Sequence, residues 1–74
     1  MSKFMLRRDV NKERSFCSIV NFLTACQIKS IEDCLPMFRA FHSRGEDVVV
    51  DIPDELDSRF REALAAVDFQ YEEI

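Results

Sequence analysis

Residues 40 to 50, "AFHSRGEDVVV", decide how the chain divides into elements. An apolar helical pattern runs into Phe41, the only glycine stands at position 45, and a β-branched run begins at Val48. Glycine adopts the left-handed conformation that ends a helix without a Cβ clash. Consecutive β-branched residues fit a pleated, half-buried surface. The stretch therefore predicts a helix stopped at Gly45 and a strand "VVVDI" buried on at least one face. It also holds the only histidine, three positions before the glycine. Gly45 is explained by the turn alone. His42 is not, although an imidazole in the last turn suits the negative end of a helix.

Upstream of this switch, Ser30 and Asp33 in "SIED" form a relative of the capping box. Ile31, Cys34, Leu35, Phe38 and Phe41 follow at helical spacing, so the helix ending at Gly45 opens here. Pro36 removes one ladder donor from that segment, which predicts either a kink or a start nearer Asp33. Before it, Phe16, Ile19, Val20 and Leu23 fall at i, i+3, i+4 and i+7 in an earlier amphipathic helix, with Asp9 or Asn11 available as its cap. "KFMLRR", residues 3 to 8, reads as a first strand with Phe4 and Leu6 on one face.

Downstream, "PDELDSRFREALAAV" opens with proline and acids, as a helix N-terminus prefers, and places Leu56, Phe60, Ala63, Leu64 and Val67 on one face. "FQYEEI" closes the chain with Phe69 and Tyr71 alternating as on a half-buried strand. The order is β-α-α-β-α-β. Three amphipathic helices and three short strands bury one another as two layers, with the helices on one face of the sheet. The expectation is an α+β domain spanning residues 1 to 74 whose other sheet face meets solvent or a partner.

The totals agree with one small domain near the lower size limit for a single core. Of the 74 residues, 47% are hydrophobic, seven of them Phe, and 32% are charged, a globular composition rather than a disordered one. Three cysteines in no zinc or redox spacing point to a reduced, cytoplasmic protein. The apolar runs are too short and interrupted for a membrane span, and the first residues are too charged for a signal peptide. Residues 1 to 44 carry eight Lys/Arg against four Asp/Glu, and residues 45 to 74 carry two against ten. The parts are thus +4 and −8, together the −4 of the chain. Such a split favours oriented association with a charged partner if the two parts occupy different faces.

Catalytic chemistry finds little support. His42 is the only imidazole, its neighbours Ser43 and Arg44 make no triad, and Cys34 lies about two helical turns earlier. One histidine and three scattered cysteines match no metal-ligand spacing, and one glycine cannot build a phosphate loop. No cofactor is expected. Lys3, Arg7, Arg8, Lys12 and Arg14 form a basic cluster, but the acidic remainder would repel phosphate, which argues against nucleic acid.

The order of elements and "FRAFHSRGEDVVV" resemble the fold shared by the ClpS adaptors of the Clp protease and the C-terminal domain of the bacterial ribosomal stalk protein. The likeness runs from about Phe4 to Ile74. "SIEDCLPMF" is similar to the second helix of the stalk domain, and "IPDELDSRFREALAAVDFQYEEI" to its closing helix and strand. The histidine three residues before a glycine, followed by a strand, is similar to ClpS. In that family the histidine helps line a pocket for a bulky N-terminal residue. The resemblance places the other pocket positions on Phe16, Ile19, Phe38 and Phe41. The acidic cluster that receives the substrate's amino group there falls here on Val10, Asn11 and Lys12.

Together these readings predict a non-enzymatic cytoplasmic module that binds another protein as an adaptor or modulator. The expected surface joins Asn11, Phe16, Ile19, Phe38, Phe41 and His42. The alternative is a small regulator or inhibitor, of the kind a phage encodes, that uses the acidic C-terminal third to block a host complex such as a protease or a ribosome-associated assembly.

Overall fold

The computed structural model describes residues 1–12 and 14–74, which form three α-helices, one 3-10 turn and a three-stranded antiparallel sheet. The elements are β1 (Ser2–Leu6), α1 (Cys17–Ala25), α2 (Ile31–His42), β2 (Val48–Ile52), the 3-10 turn (Asp54–Leu56), α3 (Asp57–Ala66) and β3 (Glu72–Glu73). The strand order is β2-β1-β3, so the first strand is central. It pairs with β2 from Ser2↔Ile52 to Leu6↔Val48, and with β3 at Phe4↔Glu73 and Met5↔Glu72.

Period-2 alternation puts Phe4, Leu6, Val48, Val50 and Ile52 on the helix side, all buried. Lys3, Val49 and Asp51 lie exposed on the other face. Across the interlayer, Phe16, Ile19, Leu23, Phe41, Phe60 and Leu64 complete one core. Its centre is aromatic: Phe4 meets Phe60 edge-on at 5.0 Å between ring centroids and Tyr71 at 5.5 Å. Such edge-to-face pairs are the arrangement that the ring quadrupoles favour.

The helix ends show where local chemistry overrode spacing. Ser30 caps α2 as expected, its hydroxyl accepting the N–H of Asp33. Neither Asp9 nor Asn11 caps α1, which begins only at Cys17. The turn after α1 is made without glycine. Gln27 takes φ 58°, and the N–H of Ile28 returns to the carbonyl of Leu23, closing the helix. Asp68 does the same after α3 at φ 56°, with the N–H of Phe69 bonded to Leu64 O. The expected strand over residues 69 to 74 is therefore shortened to Glu72–Glu73. Phe69 is buried as the residue that closes a helix end, and it does not belong to a strand ladder. Gly45, at φ 67°, turns the chain from α2 into β2 as the sequence predicts.

Pro36 lies inside α2, and the helix begins at Ile31 rather than near Asp33. Proline leaves the carbonyl one turn before it without its ladder donor. Pro36→Ala should therefore stabilise the domain by about 1–2 kcal/mol. Urea unfolding should show a raised midpoint with an unchanged slope. A lowered midpoint would mean that the proline fits a local backbone shape the packing requires.

The basic and acidic parts of the chain do not occupy separate faces. Strand β1, from the basic part, lies between two strands from the acidic part. Arg7 pairs with Asp9 and Glu72, Arg14 with Asp68, and Arg61 with Asp57 and Glu73. The expected charge dipole is partly cancelled by Arg7–Glu72 and Arg14–Asp68, the pairs among these that join the basic part to the acidic one.

Candidate functional site

Helices α1 and α2 enclose an apolar groove of about 270 Å³ lined by Cys17, Val20, Asn21, Ile31, Cys34, Leu35 and Phe38. Two of its walls are large aliphatic side chains left in solvent, Ile31 at 56% and Leu35 at 42% exposure. At about 100° per residue, the apolar stripe of α2 covers an arc of roughly 120° from Phe41 to Leu35. The core takes only one side of that arc, through Phe41 and Cys34, both fully buried. Ile31, Leu35 and Phe38, at i, i+4 and i+7, form the other side and face the groove.

Local contacts fix the geometry of both ends. At one end the Ser30 cap sets where α2 starts, directly after the turn at Gln27. At the other, the N–H of Phe16 donates to Nε2 of His42 at 3.1 Å, so α2 supplies the acceptor that the first turn of α1 needs. The His42 ring also lies against Phe38, 4.5 Å between centroids. An accepting Nε2 requires the neutral imidazole with its proton on Nδ1. Burial, reinforced by the nearby Arg8 cation, holds the His42 pKa below its ordinary value of 6.5.

That shift sets a pH dependence. The unfolded chain protonates His42 first, so the contribution is complete above the unfolded pKa of 6.5 and is lost as pH falls toward the lower folded value. Asp57 is also held low, by hydrogen bonds from Ser2 and Arg61, but its loss begins only below its ordinary 3.8. Unfolding midpoints measured between pH 7.5 and 5 should fall with pH, and the slope should flatten in His42→Gln. An unchanged slope in that variant would remove His42 as its origin.

The residues expected to form a pocket are divided by the fold. Phe16, Ile19 and Phe41 are core side chains with 1% exposure or less, and Phe38 and His42 are half-buried at the groove. Asn11 is 1% exposed and fully engaged. Its Nδ2 donates to the carbonyls of Arg7 at 2.7 Å and Gln70 at 2.9 Å, and its Oδ1 accepts the N–H of Gln70 at 2.7 Å. The loop around it is held by Arg8, which donates to the carbonyls of Asn11 and Lys12 and stacks on Phe41 at 4.9 Å. An amino-group receptor at Asn11 would compete with a saturated main-chain staple. The groove residues Cys17, Val20, Asn21, Ile31, Cys34 and Leu35 lay outside the expected surface. The width of the apolar stripe on α2 was the signal for Ile31, Cys34 and Leu35.

The site offers little for covalent chemistry. Burial pushes the Cys34 thiol up, toward its inert protonated form, with Lys29 opposing and Asp33 adding to the shift. His42 already has its acceptor nitrogen engaged. Among the described residues no group of His, Cys, Asp and Glu is arranged to hold a metal ion, and no helix is long and apolar enough to cross a membrane.

The molecule is thus a small two-layer α+β domain with an apolar groove between its first two helices. The chain matches no protein-family model, no curated protein and no solved structure.

Proposed function

We propose that this chain is a non-enzymatic protein-binding module, an adaptor or modulator, whose α1–α2 groove takes one or two bulky apolar side chains from a peptide segment of another protein. The carrying observation is the exposed pair Ile31 and Leu35 beside half-buried Phe38 around a cavity of about 270 Å³. A cavity of that size falls below the usual range for a small-molecule site, roughly 300–1,000 Å³. It suits side chains better than a cofactor. The engaged nitrogen of His42 and the buried thiol of Cys34 support a binding role over catalysis. Three unpaired cysteines, one of them exposed, suit the reducing cytoplasm.

The element order β-α-α-β-α-β supports the likeness to ClpS and the stalk domain, and with it the adaptor reading. The groove differs from the pocket that the resemblance implied, because it shares with it only Phe38, against which His42 packs from outside the lining. Inhibition of a host complex through the acidic third has less support, since Asp57, Asp68, Glu72 and Glu73 are already paired with arginines of the same chain.

Selection from a displayed random-peptide library tests this reading. Wild type should enrich peptides with a bulky apolar anchor, and Leu35→Lys, which changes only an exposed side chain, should lose them by tenfold or more in affinity, about 1.4 kcal/mol. Selected peptides that bind Leu35→Lys as well as wild type would exclude the groove.

A further inference from the structure

Strand β2 is an edge strand, and hydrogen-bond parity shows which of its main-chain groups are left over. The N–H of Ile74 donates to the carbonyl of Lys3, so Lys3 directs its main-chain groups toward β3. Its neighbours Ser2 and Phe4, and Leu6 beyond, then direct theirs toward β2. The partners of those three are Ile52, Val50 and Val48. The N–H and C=O of Val49 and Asp51 consequently point away from the sheet. Among the described residues nothing bonds to them. The Val49 side chain is 48% exposed, so neither main chain nor side chain is covered by another element.

A second copy fits this edge poorly. Symmetric pairing about Val49 sets Asp47 against the other copy's Asp51, and pairing about Asp51 sets two aspartates opposite each other. Pairing about Val50 brings in Pro53, which has no N–H to give. Like charges directly opposite destabilise a strand pair, and charged edges oppose self-association. Residues 46 to 55, "EDVVVDIPDE", hold five acids and no base. Lys3 stands across the ladder from Asp51 without forming an ion pair, and Glu55 also has none among the described residues.

We propose that the outer edge of β2 is a strand-addition site for an extended, basic segment of another protein, with Lys or Arg alternating with aliphatic residues. Main-chain bonds to Val49 and Asp51 supply the pairing. Alternation puts the cations of the segment on the exposed sheet face, one opposite Asp51 with the apolar stem of its neighbour along Val49, and its aliphatic side chains on the face of Val48, Val50 and Ile52, and this supplies the selection. This edge lies on the sheet and does not use the α1–α2 groove, so either site can fail without the other.

The test is amide hydrogen exchange of the full chain with a synthetic peptide of alternating lysine and valine, and with a control of alternating glutamate and valine. The lysine peptide should slow exchange at Val49 and Asp51, with roughly tenfold weaker binding for the glutamate peptide. Val49→Pro removes an outward N–H and leaves the β1 ladder its donors, so it should lose the effect. Asp51→Lys should reverse the preference between the two peptides, and serves if the proline variant fails to fold. The proposal is overturned if exchange at Val49 and Asp51 does not respond to the lysine peptide or responds equally in Val49→Pro. It is also overturned if the peptides are not discriminated, or if raising the protein concentration alone slows the same amides, which would make a second copy the occupant.

Discussion

Asn11→Ala should lower the unfolding free energy by about 3 kcal/mol, more than a surface binding residue would. The side chain is 1% exposed and makes three main-chain hydrogen bonds. Removing it leaves the N–H of Gln70 and the carbonyls of Arg7 and Gln70 without partners in a site too closed for easy solvation. An unsatisfied buried group costs roughly 1–3 kcal/mol, and water entering the space left by the amide recovers part of the total. For a domain of this size the loss corresponds to a fall in Tm of about 12–24 °C. Asn11→Asp is the informative companion. It keeps the acceptor for Gln70 N–H and loses both donors, so it should fall close to the alanine variant. Thermal unfolding of the two variants checks the claim, and a change under 1 kcal/mol in Asn11→Ala would mean that the staple is not essential.

Phe4→Ala should cost still more, about 4 kcal/mol. Phe4 is fully buried in the central strand, meets Phe60 and Tyr71 edge-on, and carries the Arg61 guanidinium 5.1 Å from its ring centre. Truncation removes the transfer free energy of the ring and opens a cavity where both layers meet. Small domains have total stabilities of roughly 0.05–0.15 kcal/mol per residue, so this variant should sit near the folding limit. Phe4→Leu retains most of the volume and should cost about 1–2 kcal/mol. Urea unfolding of both would measure the difference, and equal losses would show that the aromatic contacts, rather than the volume, set the stability.

Local patterns carried most of the architecture. The alternation in Val48–Ile52 and the i, i+3, i+4, i+7 set from Phe16 to Leu23 each bury the face they predict. Errors arose where a residue's partner lies far along the chain. Asn11 resembled a helix cap because its real partner, Gln70, is 59 positions away. Phe69 and Tyr71 resembled a strand because alternation cannot separate a ladder from a helix end closed by a left-handed residue. On α2, spacing alone could not tell Phe41 and Cys34 from Ile31 and Leu35. All four belong to one apolar stripe, and only the placement of α1 decides which part is core and which part lines a groove.

His42 and Gly45 divide in the same way. Gly45 was legible because a left-handed turn is a local requirement. His42 acts through Phe16, at the start of the other helix, as the acceptor that joins the end of α2 to the start of α1.

The most direct measurement of the central claim is an amide chemical-shift titration of the isotopically labelled chain with a peptide selected from the library. The groove account predicts the largest shifts at Cys17, Asn21, Ile31, Leu35 and Phe38, with smaller ones at His42 and none beyond background on the exposed sheet face. Shifts centred on the acidic residues of α3, or absent from both groove helices at saturating peptide, would contradict it.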